Sequence, residues 1–306
     1  NYAFGEGGAG TFSDGKLTSR TKGISREKEF IIEQYVNAGA PAEIGYLAHP
    51  HVGTDYLRRV VKKLRHAYEK MGGAIQFETR LDDIEIENGR VKAAVTSKGV
   101  IPADALIVAT GHSAFETYRM LMQRGVGFRP KNFAIGYRAE HPQQTINLAQ
   151  WGRKQLPGVK AAEYRLTSRQ ADRPVYTFCM CPGGMVVPAT AYADTNIVNG
   201  MSFYRRAGRF ANAACVAGVH PEELLGADAA AIDVLDYLSD LEHRFFEFAG
   251  DYTAPACSIR DFIRQTESST LGNTSYPLGV QPAALWELLP QPITKALRTG
   301  LQEFGR

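Results

Sequence analysis

The sequence has few cysteines, almost no net charge and no long apolar run, and each scarcity excludes a class of protein. Four cysteines among 306 residues are too few for a disulfide scaffold and indicate a reduced, cytoplasmic protein. Thirty-five basic and 32 acidic residues leave a net charge of +3, so charge alone predicts no nucleic-acid or membrane partner. No stretch approaches the roughly 18 consecutive apolar residues of a membrane-spanning helix. The 44% of hydrophobic residues is instead typical of a folded protein.

The length predicts about two domains, at roughly 150 residues per domain. The chain begins at Asn1 without a methionine and enters a glycine-rich loop after four residues. No secondary-structure element precedes this loop to hold it. We therefore expect the chain to be an internal piece of a longer protein.

The first part of the chain has the periodicity of helices followed by strands. Apolar residues recur at helical spacing over residues 26–38 and 54–72, which predicts two helices. Over 82–96 apolar residues alternate on both sides of Asn88-Gly89, which predicts a β-hairpin with a tight turn. The unbroken apolar run 105–109 predicts a strand buried on both faces, and hence a parallel central sheet. Ser113 is placed to cap the short helix that follows.

Beyond residue 128 the pattern changes to short strand-like segments separated by proline, glycine and polar turns. These segments are 133–140, 163–167, 174–181, 185–190 and 196–202. They predict a mostly antiparallel unit with helices, one of them a long helix over 228–249. The expected fold class is α/β, with domains at 1–127 and 128–306.

Two motifs match known signatures only in part. Gly-Glu-Gly-Gly-Ala-Gly at 5–10 has the letters of a dinucleotide-binding fingerprint, but the flanking strand and apolar helix are missing. Its small residues still expose backbone N–H groups that can cradle an anion, with Lys16 close by. Residues 111–115 resemble the nucleophile elbow of serine hydrolases, except that Phe115 replaces the second glycine. A serine hydrolase using Ser113 is therefore one alternative function.

Cys179 and Cys181 are one residue apart on a strand-like segment, where alternation puts both side chains on one face. Zinc sites prefer two to four residues between paired cysteines, together with a second ligand pair, and the sequence offers neither. We therefore predict no metal site. Buried packing and a redox thiol pair are the two interpretations left open.

Six blocks of the sequence carry a resemblance to a known family. They are residues 4–17, 50–55, 109–113, 138–142, 178–184 and 199–202. In this order they resemble a family of bacterial FAD-dependent dehydrogenases, often labelled NAD(FAD)-utilising dehydrogenases. The resemblance covers nearly the whole chain and implies the two-domain FAD/NAD(P)-binding fold. The Rossmann-like FAD domain is expected to be incomplete here, because the family's upstream ADP-binding segment and downstream closing segment have no counterpart.

The resemblance implies cofactor roles by position. The loop Gly7, Gly8, Ala9, Gly10 and Thr11 would approach the pyrophosphate and flavin ring of FAD, beside Lys16. Arg80 and Leu81 would contact the adenine through their backbone, and Thr110 and Gly111 would pass close to the cofactor. The antiparallel part would bind a small-molecule substrate, and NAD(P)H is a candidate electron donor.

The catalytic residues are not fixed by the resemblance. The candidates are Arg138, Glu140, His141, Cys179 and Cys181. Arg138 and Glu140 alternate onto one strand face, where they would bind an anionic substrate, relay a proton or form an internal salt bridge.

Arginines 205, 206 and 209 would add positive potential near the flavin, or serve as ordinary surface charge. A different class of function also stays open. A flavin-dependent tRNA-modifying or RNA-binding factor would use the basic face of the helix at 54–72.

Overall fold

The computed structural model describes residues 5–19, 21–268 and 270–305. They form two compact units. The first contains the described parts of Asn1–Leu64, Asn132–His220 and Ser239–Arg306, and the second contains Arg65–Lys131 and Pro221–Leu238. This division differs from the expected one at residue 128, because buried hydrogen bonds and ion pairs join the N-terminal residues to the antiparallel sheet.

Helices and strands follow one another in an irregular order along the described chain. The helices are α1 (Ser25–Asn37), α2 (Thr54–Lys70), α3 (Phe115–Gln123), α4 (Gln143–Trp151), α5 (Pro221–Leu225), α6 (Ala231–Ala249), α7 (Ile259–Arg264), α8 (Leu285–Leu288) and α9 (Gln291–Phe304). The strands are β1 (Leu81–Glu87), β2 (Arg90–Thr96), β3 (Gly99–Pro102), β4 (Phe133–Pro142), β5 (Val175–Thr177), β6 (Cys181–Pro188), β7 (Val198–Ser202), β8 (Phe210–Val219), β9 (Ala254–Ala256) and β10 (Val280–Pro282). Short 3₁₀ turns lie at Gly8–Phe12 and Ala42–Gly45.

The first unit is built on an antiparallel sheet of order β4-β8-β6-β7, with β5 also paired to β8. Strands β4 and β8 pair along their whole length, from Phe133 opposite Val219 to Pro142 opposite Phe210. Small side chains of β8 pack against the cluster around Ile146 and Met180, while Ile293 and Leu297 of α9 are fully buried. The mostly antiparallel architecture predicted beyond residue 128 is confirmed, although 163–167 forms no strand.

A second cluster of the first unit joins α1 and α2. Ile44, Val52, Leu57 and Val60 are buried there together with two alanines that follow α1. Both helices fall where their periodicity predicts them, and α2 begins at Thr54 as expected. The loop that carries residues 50–53 is therefore held between a helix and the glycine-rich N-terminal segment.

The second unit contains the sheet β1-β2-β3. The predicted hairpin is confirmed: β1 and β2 are antiparallel, and Asn88 and Gly89 have φ values of 52° and 74°, in the left-handed region that a two-residue turn requires. Arg124, which follows α3, holds Asp83 of β1 through its Nε at 2.6 Å.

The predicted parallel central strand at 105–109 is wrong. This segment forms no strand, and Ile107 is 91% exposed. A strand exists only as a member of a sheet, and no strand in the described part of the chain pairs with this one. Parallel pairing among the described residues occurs between β9 and β10. Ser113 is also not the cap of α3, because the residue at that helix's N-cap is Ala114.

None of the helices in the described ranges is both long enough and apolar enough to span a membrane.

Candidate functional site

A cavity of about 250 Å³ lies in the first unit. Its lining brings together two cationic side chains, an imidazole, a phenol and a thiol from separate parts of the chain: Lys16, Thr18, His49, Pro50, Glu163, Tyr164, Arg165, Cys179 and Met180. Binding pockets for complete small ligands typically measure about 300–1,000 Å³. The cavity therefore suits a small molecule, or one part of a larger one such as a ring of FAD.

Lys16 is fixed at the cavity by its neighbours. Its Nζ lies 2.7 Å from a carboxylate oxygen of Asp14 and donates a hydrogen bond to the carbonyl of Met180. The backbone of 14–17 is held against 50–53, for example by the N–H of Val52 on the carbonyl of Gly15 at 3.0 Å. Gly15 has a φ of 68°, and a Cβ there would lie 2.8 Å from Leu57, so the segment needs glycine at this point.

Asp14 is the centre of a buried charge network. Arg206 binds it through two nitrogens, Nε at 3.1 Å, and the hydroxyl of Ser202 donates to the same carboxylate. Burial opposes ionisation of Asp14 most strongly, but the hydrogen bonds and charges of Arg206 and Lys16 outweigh it and lower its pKa to about 2. Asp14 is therefore a permanent negative charge that orients Lys16 beside the cavity.

The block 50–55 supports this network from the other side. The hydroxyl of Thr54 donates to the carbonyl of Thr11, and Asp55 accepts the backbone N–H of Tyr204 at 2.9 Å. His51 lies with its Nε2 3.1 Å from the carbonyl of Tyr204, and burial lowers the pKa of its imidazole. These contacts tie the glycine-rich segment and the loop after β7 to one helix terminus.

The predicted cofactor loop forms the 3₁₀ turn at Gly8–Phe12. Gly7 precedes it with a φ of 86°, and a Cβ there would lie 3.1 Å from Val61 and clash with Thr11. A Cβ at Gly8 or Gly10 would meet nothing within 4 Å, although Gly8 has a φ of 57°. Ala9 and Gly10 are exposed and Gly8 is half-buried, so the turn leaves room for a bound group. Thr11 is buried, and its hydroxyl donates to the carbonyl of Gly8. The N–H of Gly8 already donates to the carbonyl of Gly5 at 2.9 Å, so Ala9 and Gly10 are the part of the turn whose backbone fits the anionic part of FAD, whereas the cavity admits only a portion of that molecule.

The remaining predicted cofactor residues lie in the second unit. Arg80 is exposed and pairs with Asp82, and Leu81 begins β1. Thr110 and Gly111 are exposed, and the carbonyl of Gly111 accepts a hydrogen bond from Tyr118 at 2.5 Å. Their role at the cofactor stays a prediction.

Arg138 and Glu140 do not form the internal salt bridge that was one of their predicted interpretations. Glu140 instead accepts the backbone N–H of Ser275, at 3.1 and 3.2 Å from its two oxygens, and the hydroxyl of the same serine. Arg138 donates to the amide oxygens of Asn212 at 2.8 Å and Asn199 at 3.1 Å. The two charged side chains of this strand face therefore have separate partners.

His141 lies with its Nε2 3.0 Å from the hydroxyl of Tyr164, which lines the cavity. Burial lowers the pKa of His141, so its imidazole is neutral near pH 7. A neutral imidazole beside a phenol can accept or pass a proton. Burial raises the pKa of Tyr164, so the phenol keeps its proton, and His141 is the member of this pair that could accept one at the cavity wall.

The two cysteines differ in their surroundings. Cys179 precedes β6, is exposed and lines the cavity, whereas Cys181 begins β6 and is buried. The expectation that both share one face of a strand is wrong, because the strand begins only at Cys181. Burial raises the pKa of the Cys181 thiol. Within the described ranges, no three His, Cys, Asp or Glu side chains come together in a way that could hold a metal ion.

Sequence reasoning missed four residues that build this region: Asp14, Asn199, Asn212 and Ser275. Asp14 and Asn199 lie inside blocks that carry the family resemblance, so a signal for them was present. Asn212 lies on β8, whose mixture of alanine, asparagine and cysteine has no clear alternation. Ser275 lies outside all the blocks, and no signal in the sequence pointed to it.

RNA binding and serine hydrolysis, the two alternative functions, depend on the basic helix α2 and on Ser113. On the basic helix α2, the guanidinium of Arg59 lies 4.7 Å from the ring centre of Tyr56, and Arg65 pairs with Glu69 at 3.2 Å. Ser113 lies in the turn before α3. RNA binding and serine hydrolysis stay hypotheses on these grounds.

Comparison with known proteins supports the coarser part of the expectation, an FAD-dependent family. The model of the family "FAD-dependent protein, C-terminal domain-like" matches residues 132–306. An uncharacterized protein of Clostridium beijerinckii is 40% identical over 312 residues, which cover all of this chain and 58% of that protein. A D-amino acid dehydrogenase of Sinorhizobium medicae is 30% identical over 132 residues, which cover 42% of this chain and 29% of that enzyme. The chain thus spans little more than half the length of the first relative, and it belongs to the family of FAD-dependent proteins that this C-terminal domain-like model describes.

Proposed function

We propose that the full-length gene product is an FAD-dependent oxidoreductase that acts on a small molecule at the cavity of the first unit. The main support for this proposal is Lys16, whose ammonium group the buried Asp14 holds at the cavity wall. Both residues belong to the block 4–17, which resembles the segment that faces the flavin in the family. The family match supports FAD as the cofactor.

When bound, FAD would supply the acceptor for the two electrons that leave the substrate. Lys16 would place a positive charge against the electron-rich edge of the ring, and the exposed backbone of Ala9 and Gly10 would approach the phosphates. His141 and Tyr164 would hold and pass the proton that the substrate releases, since their nitrogen and oxygen lie 3.0 Å apart.

The test is the visible absorption spectrum of the purified full-length gene product, followed by anaerobic additions of NADH and NADPH. We expect flavin bands in the isolated protein and bleaching by one of the two nucleotides. A colourless protein would contradict the flavoprotein proposal, and a yellow protein that neither nucleotide bleaches would contradict NAD(P)H as donor.

The variant Lys16→Met tests whether Lys16 lies at the flavin. It is expected to keep flavin but to lower its reduction potential, because a cation near the ring stabilises the reduced, anionic form. Lys92→Met is the control, since Lys92 pairs with Glu87 at 3.6 Å on the exposed hairpin. Equal potentials in both variants would remove Lys16 from the flavin site.

D-amino acids are a second candidate class of substrate. The similarity to the D-amino acid dehydrogenase of Sinorhizobium medicae favours them. Anaerobic bleaching of the flavin by D-alanine, D-serine or D-phenylalanine, with the L-enantiomers as controls, would support this class. No reaction with any D-amino acid would leave the general oxidoreductase proposal standing and remove this substrate.

A further inference from the structure

Arg138 is a half-buried cation that has no acidic partner in the described part of the chain. Its two terminal nitrogens donate to neutral amide oxygens, those of Asn212 and Asn199, and its Nε is buried without a partner among the described residues. No carboxylate of the described chain is within ion-pair distance, because Glu140 on the same strand is bound to Ser275. Arginine stays protonated in proteins, so the charge is permanent.

A second unpartnered donor lies at the same place. Asn212 is fully buried, and its Nδ2 has no partner in the described part of the chain. In the antiparallel register, Asn212 is opposite Glu140, and the next residue but one, Ala214, is opposite Arg138. Residues opposite each other on antiparallel strands share a face, so Arg138 and Asn212 lie on one face of the sheet.

The absence of a side chain at Gly200 on β7 leaves room for the guanidinium of Arg138 and the amide of Asn212. A Cβ at Gly200 would lie 2.6 Å from Nη1 of Arg138 and would clash with Asn212, so the guanidinium rests directly over glycine backbone. Arg138 is half-buried and interacts electrostatically with Tyr164 and Cys179, both of which line the cavity. Arg138 is not itself one of the lining residues, so a ligand would meet this cation behind the cavity wall that Tyr164 and Cys179 form.

A buried charge with only neutral partners costs folding free energy unless an anion compensates it. The planar fork of a guanidinium matches the two oxygens of a carboxylate, and Nδ2 of Asn212, whose Oδ1 accepts from Arg138, is a further unpartnered donor beside it. We propose that Arg138 and Asn212 form the site that binds the carboxylate of the substrate, so that the substrate class is a small carboxylic acid. This inference rests on the proposed oxidoreductase function.

The experiment is a thermal-unfolding titration of the full-length protein with acetate, benzoate, glycinate and succinate. Chloride and benzamide serve as the ionic-strength and neutral controls, and inorganic phosphate as the competing anion. We expect at least one carboxylate to raise the unfolding midpoint of the wild type saturably, and chloride and benzamide to have no such effect. Arg138→Met and Arg138→Lys should weaken this binding roughly tenfold or more, because each loses the charged, bidentate hydrogen bonds.

Arg298→Met is the matched control. Arg298 is also half-buried and donates to a neutral acceptor, the carbonyl of Ile263 at 3.0 Å, but it lies on α9. This variant should keep the response to carboxylates. Without ligand, Arg138→Met should unfold at or above the wild-type midpoint, because it removes an uncompensated charge, which a merely structural arginine would not do.

The proposal is overturned if no carboxylate stabilises the wild type, if carboxylates stabilise Arg138→Met as well as they do the wild type, or if unliganded Arg138→Met unfolds below the wild type. Stabilisation by phosphate alone would overturn the carboxylate class. An altered flavin potential in Arg138→Met without any carboxylate effect would assign the cation to the flavin instead. Because thermal unfolding needs no flavin signal, a colourless protein would refute the proposed oxidoreductase without deciding this test.

Discussion

Replacing Asp14 by asparagine should remove a large part of the stability of the first unit. The substitution keeps the shape of the side chain but leaves Arg206 and Lys16 without their common counter-charge. Asp14 is only 3% exposed, so water cannot replace the lost interaction. Removing one member of a buried ion pair is far more costly than removing both.

The magnitude follows from the pKa of Asp14, which falls from its ordinary 3.8 to about 2. Each pH unit is worth about 1.4 kcal/mol, so the ionised carboxylate contributes roughly 2 kcal/mol to folding near pH 7. Because the folded pKa lies below the unfolded one, this contribution is complete above pH 4 and is lost as pH falls towards 2. Arg206 would keep a second carboxylate, Glu163, 3.6 Å from its Nη1, so the loss of the common counter-charge adds only modestly, for a total of about 3 kcal/mol at pH 7.

Urea denaturation of the wild type and Asp14→Asn at pH 7, 4 and 2.5 measures this directly. The difference in unfolding free energy between the two proteins should be largest at pH 7 and should shrink at pH 2.5. Asp83→Asn is the control, because Arg124 lowers the pKa of Asp83 to about 2 as well, but this pair is exposed and screened by solvent. A difference independent of pH, or an equal loss in Asp83→Asn, would refute the argument.

Three further predictions concern glycine, cysteine and apolar positions. Gly7→Ala should lower the unfolding free energy by about 2 kcal/mol in urea denaturation, because Gly7 has a left-handed φ and a Cβ there would clash with Thr11. Gly10→Val should fold like the wild type and lose flavin, since a Cβ at Gly10 meets nothing within 4 Å. Normal flavin content in Gly10→Val would mean that the loop is only a turn. Cys179 should react rapidly with a thiol reagent and Cys181 only after unfolding, because the first is exposed and the second is buried. Equal reactivity of the two thiols would contradict this difference in burial. Metal analysis should find less than stoichiometric zinc. Ile107→Lys should change the unfolding free energy of residues 1–306 by less than about 0.5 kcal/mol, since Ile107 is 91% exposed, and a larger loss would show that this side chain is buried.

Local features of the fold could be predicted from the sequence. The hairpin depends on two adjacent turn residues, Asn88 and Gly89, and the helices α2 and α6 depend on a periodicity that lies within each segment. Strand β4 was predicted for the same reason. In each case the residues that determine the structure are close to one another along the chain.

The candidate site depends on contacts between distant residues, which local patterns do not encode. Asp14 and Arg206 are 192 positions apart, and Glu140 and Ser275 are 135 apart. The sequence identified Arg138 and Glu140 as charged neighbours on one strand, but their partners come from other elements. The choice between an internal salt bridge and two separate interactions could therefore be made only from the three-dimensional arrangement.

The segment 105–109 and strand β8 show why apolar composition alone is a weak predictor of a strand. The first is an unbroken apolar run, yet in the described structure it pairs with no strand and exposes Ile107. The second contains Asn212 and several alanines, yet it pairs with β4, β5 and β6 and is largely buried. Hydrophobicity measures how strongly a segment favours burial, whereas the backbone hydrogen bonds that define a strand come from its neighbours. An apolar run such as 105–109 therefore predicts that the segment favours burial against other elements. Whether neighbouring strands are present to pair with it depends on the topology.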